Sequence, residues 1–185
     1  MSETSIFDQL KKWRNVMTTS DNSTLKLTLP SEREILVTRV FDAPQALIFE
    51  AWTTPNHVKR WFGCGSMTMI VCEIDLRVGG NWRYVLHDST NNTDFGLAGK
   101  YHEIVPSERL VSTEQYDEIS DSEHIVTLTL TEQEGKTTLQ IHTLYPSVEH
   151  RDREIQAGMD TGLSKTLDRL EELLNQNAVS TSKQV

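Results

Sequence analysis

Three rhythms of apolar residues divide the chain. From Ser5 to Met17 the residues Ile6, Leu10, Trp13 and Met17 recur at helical intervals, which predicts a short amphipathic helix with Lys11, Lys12 and Arg14 off its stripe. The run from Thr18 to Thr24 is polar and has no period, so it reads as a linker. Alternation then begins at Leu25, Leu27 and Leu29, an extended entry, and continues through Ile35 to Phe41 as a first strand. Asp42-Ala43-Pro44 ends that strand. Asp42 is placed to cap a brief helix over Ala46 to Trp52, with Pro44 early in its first turn, and a second short helix follows Thr54-Pro55 and stops at Gly63.

Strand rhythm resumes at Met67 and predicts six segments in succession, ending with Lys136 to Leu144. Gly79-Gly80 and Glu134-Gly135 supply the positive φ angles of tight hairpins, while Pro106-Ser107 marks another turn, so the strands form an antiparallel meander. The third rhythm is helical. Ile155, Met159, Leu163, Leu167, Leu170 and Leu174 form one stripe over His150 to Asn175. At about 1.5 Å per residue such a helix is long enough to cross six or seven strands set about 4.8 Å apart. The expected fold is therefore α+β: a curved antiparallel sheet of six to seven strands around a long C-terminal helix, with two short helices after the first strand. Residues 25–175 would be the domain, 1–24 an appended helix and linker, and 176–185 a flexible tail.

Composition narrows the functional classes. With 37% apolar and 24% charged residues the chain has enough apolar material for one packed core. A net charge of −9 argues against a phosphate-binding surface, and hence against nucleic acid as a partner. The two cysteines, Cys64 and Cys72, have neither CxxC spacing nor a secretory signal, and no apolar run reaches the roughly 20 residues of a membrane span. A cytoplasmic protein without transmembrane segments is the expectation.

Catalytic and metal motifs are missing from the sequence. The six histidines lie in different elements without HxH or HExxH spacing, so no metal, no cofactor and no catalytic residue is assigned. His142, in the last strand, is the one histidine singled out. Glu73 and Asp75 share a strand face, but Arg77 and the glycine turn offer Asp75 ordinary structural partners. The aromatic residues say more: Trp52, Trp61 and Phe62 come from the two short helices, Trp82 and Tyr84 share a strand face, and Tyr101 and Tyr116 follow on later strands. They either fill the core or line a pocket between sheet and helix. Gly158 and Gly162 each cost up to ~1 kcal/mol in a helix interior. Beside Met159 and Leu163, they either admit the sheet closely or leave room for a ligand. The candidate ligand-binding set is thus Trp52, Trp61, Phe62, Trp82, Tyr84, Tyr101, Tyr116, Met159, Gly162 and Leu163.

The run from Arg39 to Pro44, Phe49 to Pro55, Arg60-Trp61-Phe62-Gly63, Asp75 to Trp82, Gly99 to Pro106 and Gly158 to Leu170 resembles bacterial members of the family homologous to the activator of the 90-kDa heat-shock chaperone ATPase. The likeness runs in order from about Leu25 to Leu174. It implies the helix-grip fold of the Bet v 1-like, START-related (SRPBCC) superfamily, with a hydrophobic cavity between sheet and long helix. Members of that superfamily bind lipids, sterols and polyketides, and some are cyclases or hydroxylases. The Asn- and Trp-rich motif of the eukaryotic co-chaperone has no counterpart in residues 1–24, which argues against chaperone activation. Cys64 follows Trp61-Phe62-Gly63 where family members often have Pro. The function expected is binding of a small apolar molecule, as a carrier or sensor. The alternatives are a module that docks on a chaperone or other protein, as monomer or homodimer, and a cyclase- or hydrolase-like enzyme using Asp75, His142 or a Tyr hydroxyl.

Overall fold

Alternation along the strands becomes an eight-stranded antiparallel sheet in the computed structural model, which describes residues 25–181 apart from Cys64, Glu118 and Ser120. The helix expected within residues 1–24, Cys64, and residues 182–185 of the tail lie outside the described residues. The strands are β1 (Lys26–Thr28), β2 (Glu34–Phe41), β3 (Met67–Ile74), β4 (Asn81–Asp88), β5 (Thr93–Val105), β6 (Arg109–Tyr116), β7 (His124–Gln133) and β8 (Lys136–Leu144). From β3 to β8 they form the expected meander, and β2 joins its far end beside β8, giving the order β1-β2-β8-β7-β6-β5-β4-β3. The count exceeds six to seven because the extended entry pairs as β1, with Leu27 opposite Val37. Bulges between Met69 and Val71 and between Tyr101 and Glu103 bend β3 and β5, the local deformation a wrapped sheet needs.

The helices are α1 (Gln45–Thr53), α2 (Pro55–Trp61), α3 (Val148–Ala157) and α4 (Met159–Thr181). Asp42 does not cap α1: Pro44 occupies the cap position without a side-chain bond. Glu132 of β7 accepts the Gln45 amide at 2.9 Å instead, and the Gln45 side chain accepts the Glu132 amide at 3.2 Å, so the sheet itself closes the helix start. For α2, Pro55 does take the first position, where its missing N–H costs nothing.

The single C-terminal helix of the sequence pattern is two helices. Gly158 adopts a left-handed φ of 80° and caps α3. Ser147 opens α3 by accepting the His150 amide. The kink rotates the expected stripe, so Ile155 is 38% exposed while Arg151, Glu154 and Ala157 are buried. Beyond the kink Leu167, Leu170 and Leu174 do face the sheet, packing with Ile35, Val37, Leu139 and Ile141. The helix continues past Asn175 to Thr181. No helix among the described residues is long and apolar enough to cross a membrane.

One inward position of β2 is charged. Arg39 alternates with Ile35, Val37 and Phe41, and is 2% exposed. Its guanidinium lies 5.2 Å from the Phe41 ring centroid and donates to Asp168 and Glu171 of α4, each at 2.6 Å. This clamp fixes the long helix over the sheet. Arg39→Ala is expected to lower the unfolding free energy by about 3 kcal/mol, because it empties a packed position and removes a buried pairing. Arg39→Met should cost much less, since it keeps the apolar stem while Asp168 and Glu171, 37% and 45% exposed, turn to water. Urea midpoints of the two variants check the ordering; equal losses would count against it.

Candidate functional site

Two apolar clusters form where the sheet wraps the helices, one under α4 and one among β3, β4 and β5. A cavity of about 200 Å³ is lined by members of both, among them Leu110, Leu128 and Ile141 from the first and Tyr84, Leu97 and Tyr101 from the second. The strand period supplies its floor. Ser112, Glu114 and Tyr116 follow Leu110 on the inward face of β6, and Val126 and Leu128 follow His124 on β7. Met159 and Leu163 of α4 cover the space, and Gly158 at the kink also reaches it.

A chain of ring contacts forms one wall. Trp52 lies 4.7 Å from Trp61, Trp61 5.6 Å from Phe62, Phe62 5.2 Å from Tyr84, and Tyr84 4.9 Å from Trp82. Of the ten residues expected to line a pocket, Trp52, Phe62, Trp82, Tyr84, Tyr101, Tyr116, Met159 and Leu163 border this cavity. Trp61 does not. It is 1% exposed and its indole N–H donates to the Ala51 carbonyl at 2.9 Å, so it braces α1 against α2 behind the wall. Gly162 is also outside the lining; its amide donates to the Gly158 carbonyl at 3.2 Å, and Gly158 takes the place at the cavity.

Opposite the apolar wall is a polar end absent from the expected set: Glu114, His124, Thr143, Tyr145 and Glu154. His124 is buried, stacked on Tyr145 at 5.0 Å, with Nδ1 2.9 Å from the Ser122 carbonyl and Nε2 3.4 Å from a Glu114 carboxylate oxygen. Burial works against the imidazolium, but the bond to Glu114 and the Ser122 carbonyl outweigh it and raise the His124 pKa. Glu154 on α3 is 7% exposed. Burial pushes its pKa up to about 7, against the opposing pull of His124 and a hydrogen bond with Tyr116. Burial likewise raises Tyr84, Tyr101, Tyr116 and Tyr145 well above the ordinary phenol, so these hydroxyls stay protonated donors.

The other chemistry-bearing residues lie elsewhere. His142 points away from the cavity, with Nε2 3.0 Å from Glu34. Asp75 pairs with Arg77 at 2.9 Å on the surface, and Glu73 is exposed. Among the described residues no three His, Cys, Asp or Glu side chains gather as a metal site. The polar end had a sequence signal: the alternation that buries Leu110 and Leu128 also turns Glu114 and His124 inward. Glu154 had none, because only the kink at Gly158 brings it in.

Solved structures share this architecture. A crystal structure of a protein from Rhodobacter sphaeroides is 27% identical, with a TM-score of 0.77, over 82% of this chain and 99% of that one. Protein NE0264 from Nitrosomonas europaea is 23% identical, with a TM-score of 0.73 over 82% and 99%. CalU16 from Micromonospora echinospora is 24% identical, with a TM-score of 0.55 over 87% and 90%. The last two likenesses attest the fold alone. No curated protein matches the sequence significantly. The model of the family described as "Activator of Hsp90 ATPase homolog 1-like protein" matches residues 42–175, the span that carries the short helices, the meander and most of α4, and the chain belongs to that family.

Proposed function

We propose that this protein binds a small, largely apolar molecule between the sheet and its C-terminal helices, as a carrier or sensor. The observation that carries this reading is the cavity itself. Leaving about 200 Å³ without side chains forgoes the dispersion contacts that a close-packed interior would make there. Larger side chains at Ser112, Val126 or Ala157 would have filled it; small ones stand there instead. Rings on one side and a few polar groups on the other are the usual make-up of a small-molecule site.

Nile red, a neutral apolar dye, tests the proposal by its fluorescence gain on entering a dry pocket. Val126→Phe places a ring in the void from near the start of β7, and is expected to weaken dye binding at least tenfold while changing stability by no more than about 1 kcal/mol. Failure of the wild type to take up dye, or unchanged uptake by the variant, would overturn the assignment. Ile70 on the edge strand β3 and Leu76 and Val78 just after it, 52%, 41% and 62% exposed, favour a second reading, docking of another protein. Val126→Phe leaves that surface untouched, so capture of a partner by the variant would separate the two.

A further inference from the structure

We propose that the preferred occupant of the cavity is a lipophilic cation, a compact aromatic or alicyclic body bearing one protonated amine, with its ammonium set against Glu154 and Glu114. This rests on the cavity being a binding site, and adds a charge to it. The lining contains two carboxylates, one imidazole and several phenols, but no lysine or arginine. His124 is already engaged by Glu114, at 3.4 Å. Glu154 has neutral Tyr116 as its hydrogen-bonding partner in the wall, and His124 is the one positive group of the lining that acts on it, so two carboxylates share a single imidazole. A buried acid in this setting gains most from a ligand that brings the missing positive charge.

No element around Glu154 brings a lysine or arginine to the cavity. From β6 come Glu114 and Tyr116, from β7 His124, and from the end of β8 Tyr145. From α3 itself, buried Arg151 pairs with Asp152 at 2.7 Å, and His150 and the exposed Arg153 border a small recess that also reaches Glu154; none of the three lines the cavity. Tyr116 and Tyr145 line the cavity with the carboxylates, and phenol rings favour an ammonium group over a neutral one. A carboxylate ligand would meet two groups of its own sign.

Phenethylamine, phenethyl alcohol and phenylacetate have nearly the same body and differ in the head group, so competition with Nile red on the full chain reads the head group alone. At about pH 8.5, where Glu154 is ionised and an alkylamine remains protonated, the amine is expected to displace dye at a concentration at least tenfold below the alcohol, with phenylacetate weakest. Towards about pH 6 Glu154 takes up a proton and His124 becomes charged, and both changes disfavour a cation, so the amine's advantage should shrink to about twofold. Glu154→Gln should remove the amine's advantage over the alcohol at the higher pH. Equal displacement by amine and alcohol in the wild type, or an amine preference that survives both low pH and Glu154→Gln, overturns the cation assignment while the cavity reading stands. Absence of dye uptake at any pH overturns the cavity reading, and this inference with it.

Discussion

Gly99→Ala is expected to lower the unfolding free energy by about 3 kcal/mol or more, and to abolish dye uptake. A methyl group at this position would collide with the Thr113 carbonyl oxygen of β6 and lie 2.6 Å and 2.7 Å from Nε1 and Cε2 of Trp82. A backbone carbonyl inside a sheet cannot swing aside, so relief requires β5 and β6 to part, just before the bulge between Tyr101 and Glu103. The indole of Trp82, opposite Gly99 in the β4–β5 register, lies across the glycine and its Nε1 has no hydrogen-bond partner. Displacing it disturbs a cavity wall as well as a ladder. Denaturant midpoints read the effect. Adding Trp82→Phe to Gly99→Ala should recover only part of the loss, because the carbonyl clash remains; a Gly99→Ala variant with a wild-type midpoint would refute the account.

Glu154→Gln is expected to stabilise the protein at alkaline pH. Its carboxyl has a folded pKa raised from 4.5 to about 7, so the folded state favours its protonated form. Stability from this group is therefore complete below about 4.5 and lost as pH rises through about 7, a change of about 3 kcal/mol. The His124 pKa is also raised, which adds loss in the same direction, on top of an unfolded value near 6.5. Glutamine cannot ionise, so the variant should keep only the smaller slope from His124. It should match the wild type near pH 5 and exceed it by about 2 kcal/mol near pH 8. Unfolding curves at both pH values decide the matter, and parallel pH profiles of the two proteins would refute it. Glu34, Asp88 and Glu149 have lowered pKa values from side-chain hydrogen bonds with Ser31, Ser66 and Ser147, and their loss at acid pH is common to both proteins.

Most of the fold was legible in the sequence because strand alternation is a local signal. Glu134 and Gly135, at φ 53° and 75°, make the hairpin that the dipeptide announces. The β1 strand was harder to read, since three residues with a single neighbour differ little from an extended entry. The helix break was concealed by its own periodicity: Ile155 stands four residues before Met159, as an unbroken helix would place it. Only the backbone at Gly158 reveals that everything upstream has turned. That rotation explains the main omission from the candidate site, for it exchanges Ile155 for Glu154 at the wall. Trp61 and Trp52, nine residues apart, are equivalent by composition; the bond from the Trp61 indole to Ala51 settles which one stands behind.

The placement of β2 shapes how the chain reaches this state. Each strand from β4 onward pairs with its predecessor, so those hairpins close cheaply and early. Val37, by contrast, must find Ile141, a partner synthesised long after it. On the ribosome β2 emerges into an environment where neither β8 nor the carboxylates that hold Arg39 yet exist. The sheet's N-terminal margin and its helical cover are thus completed together, as the last act of folding.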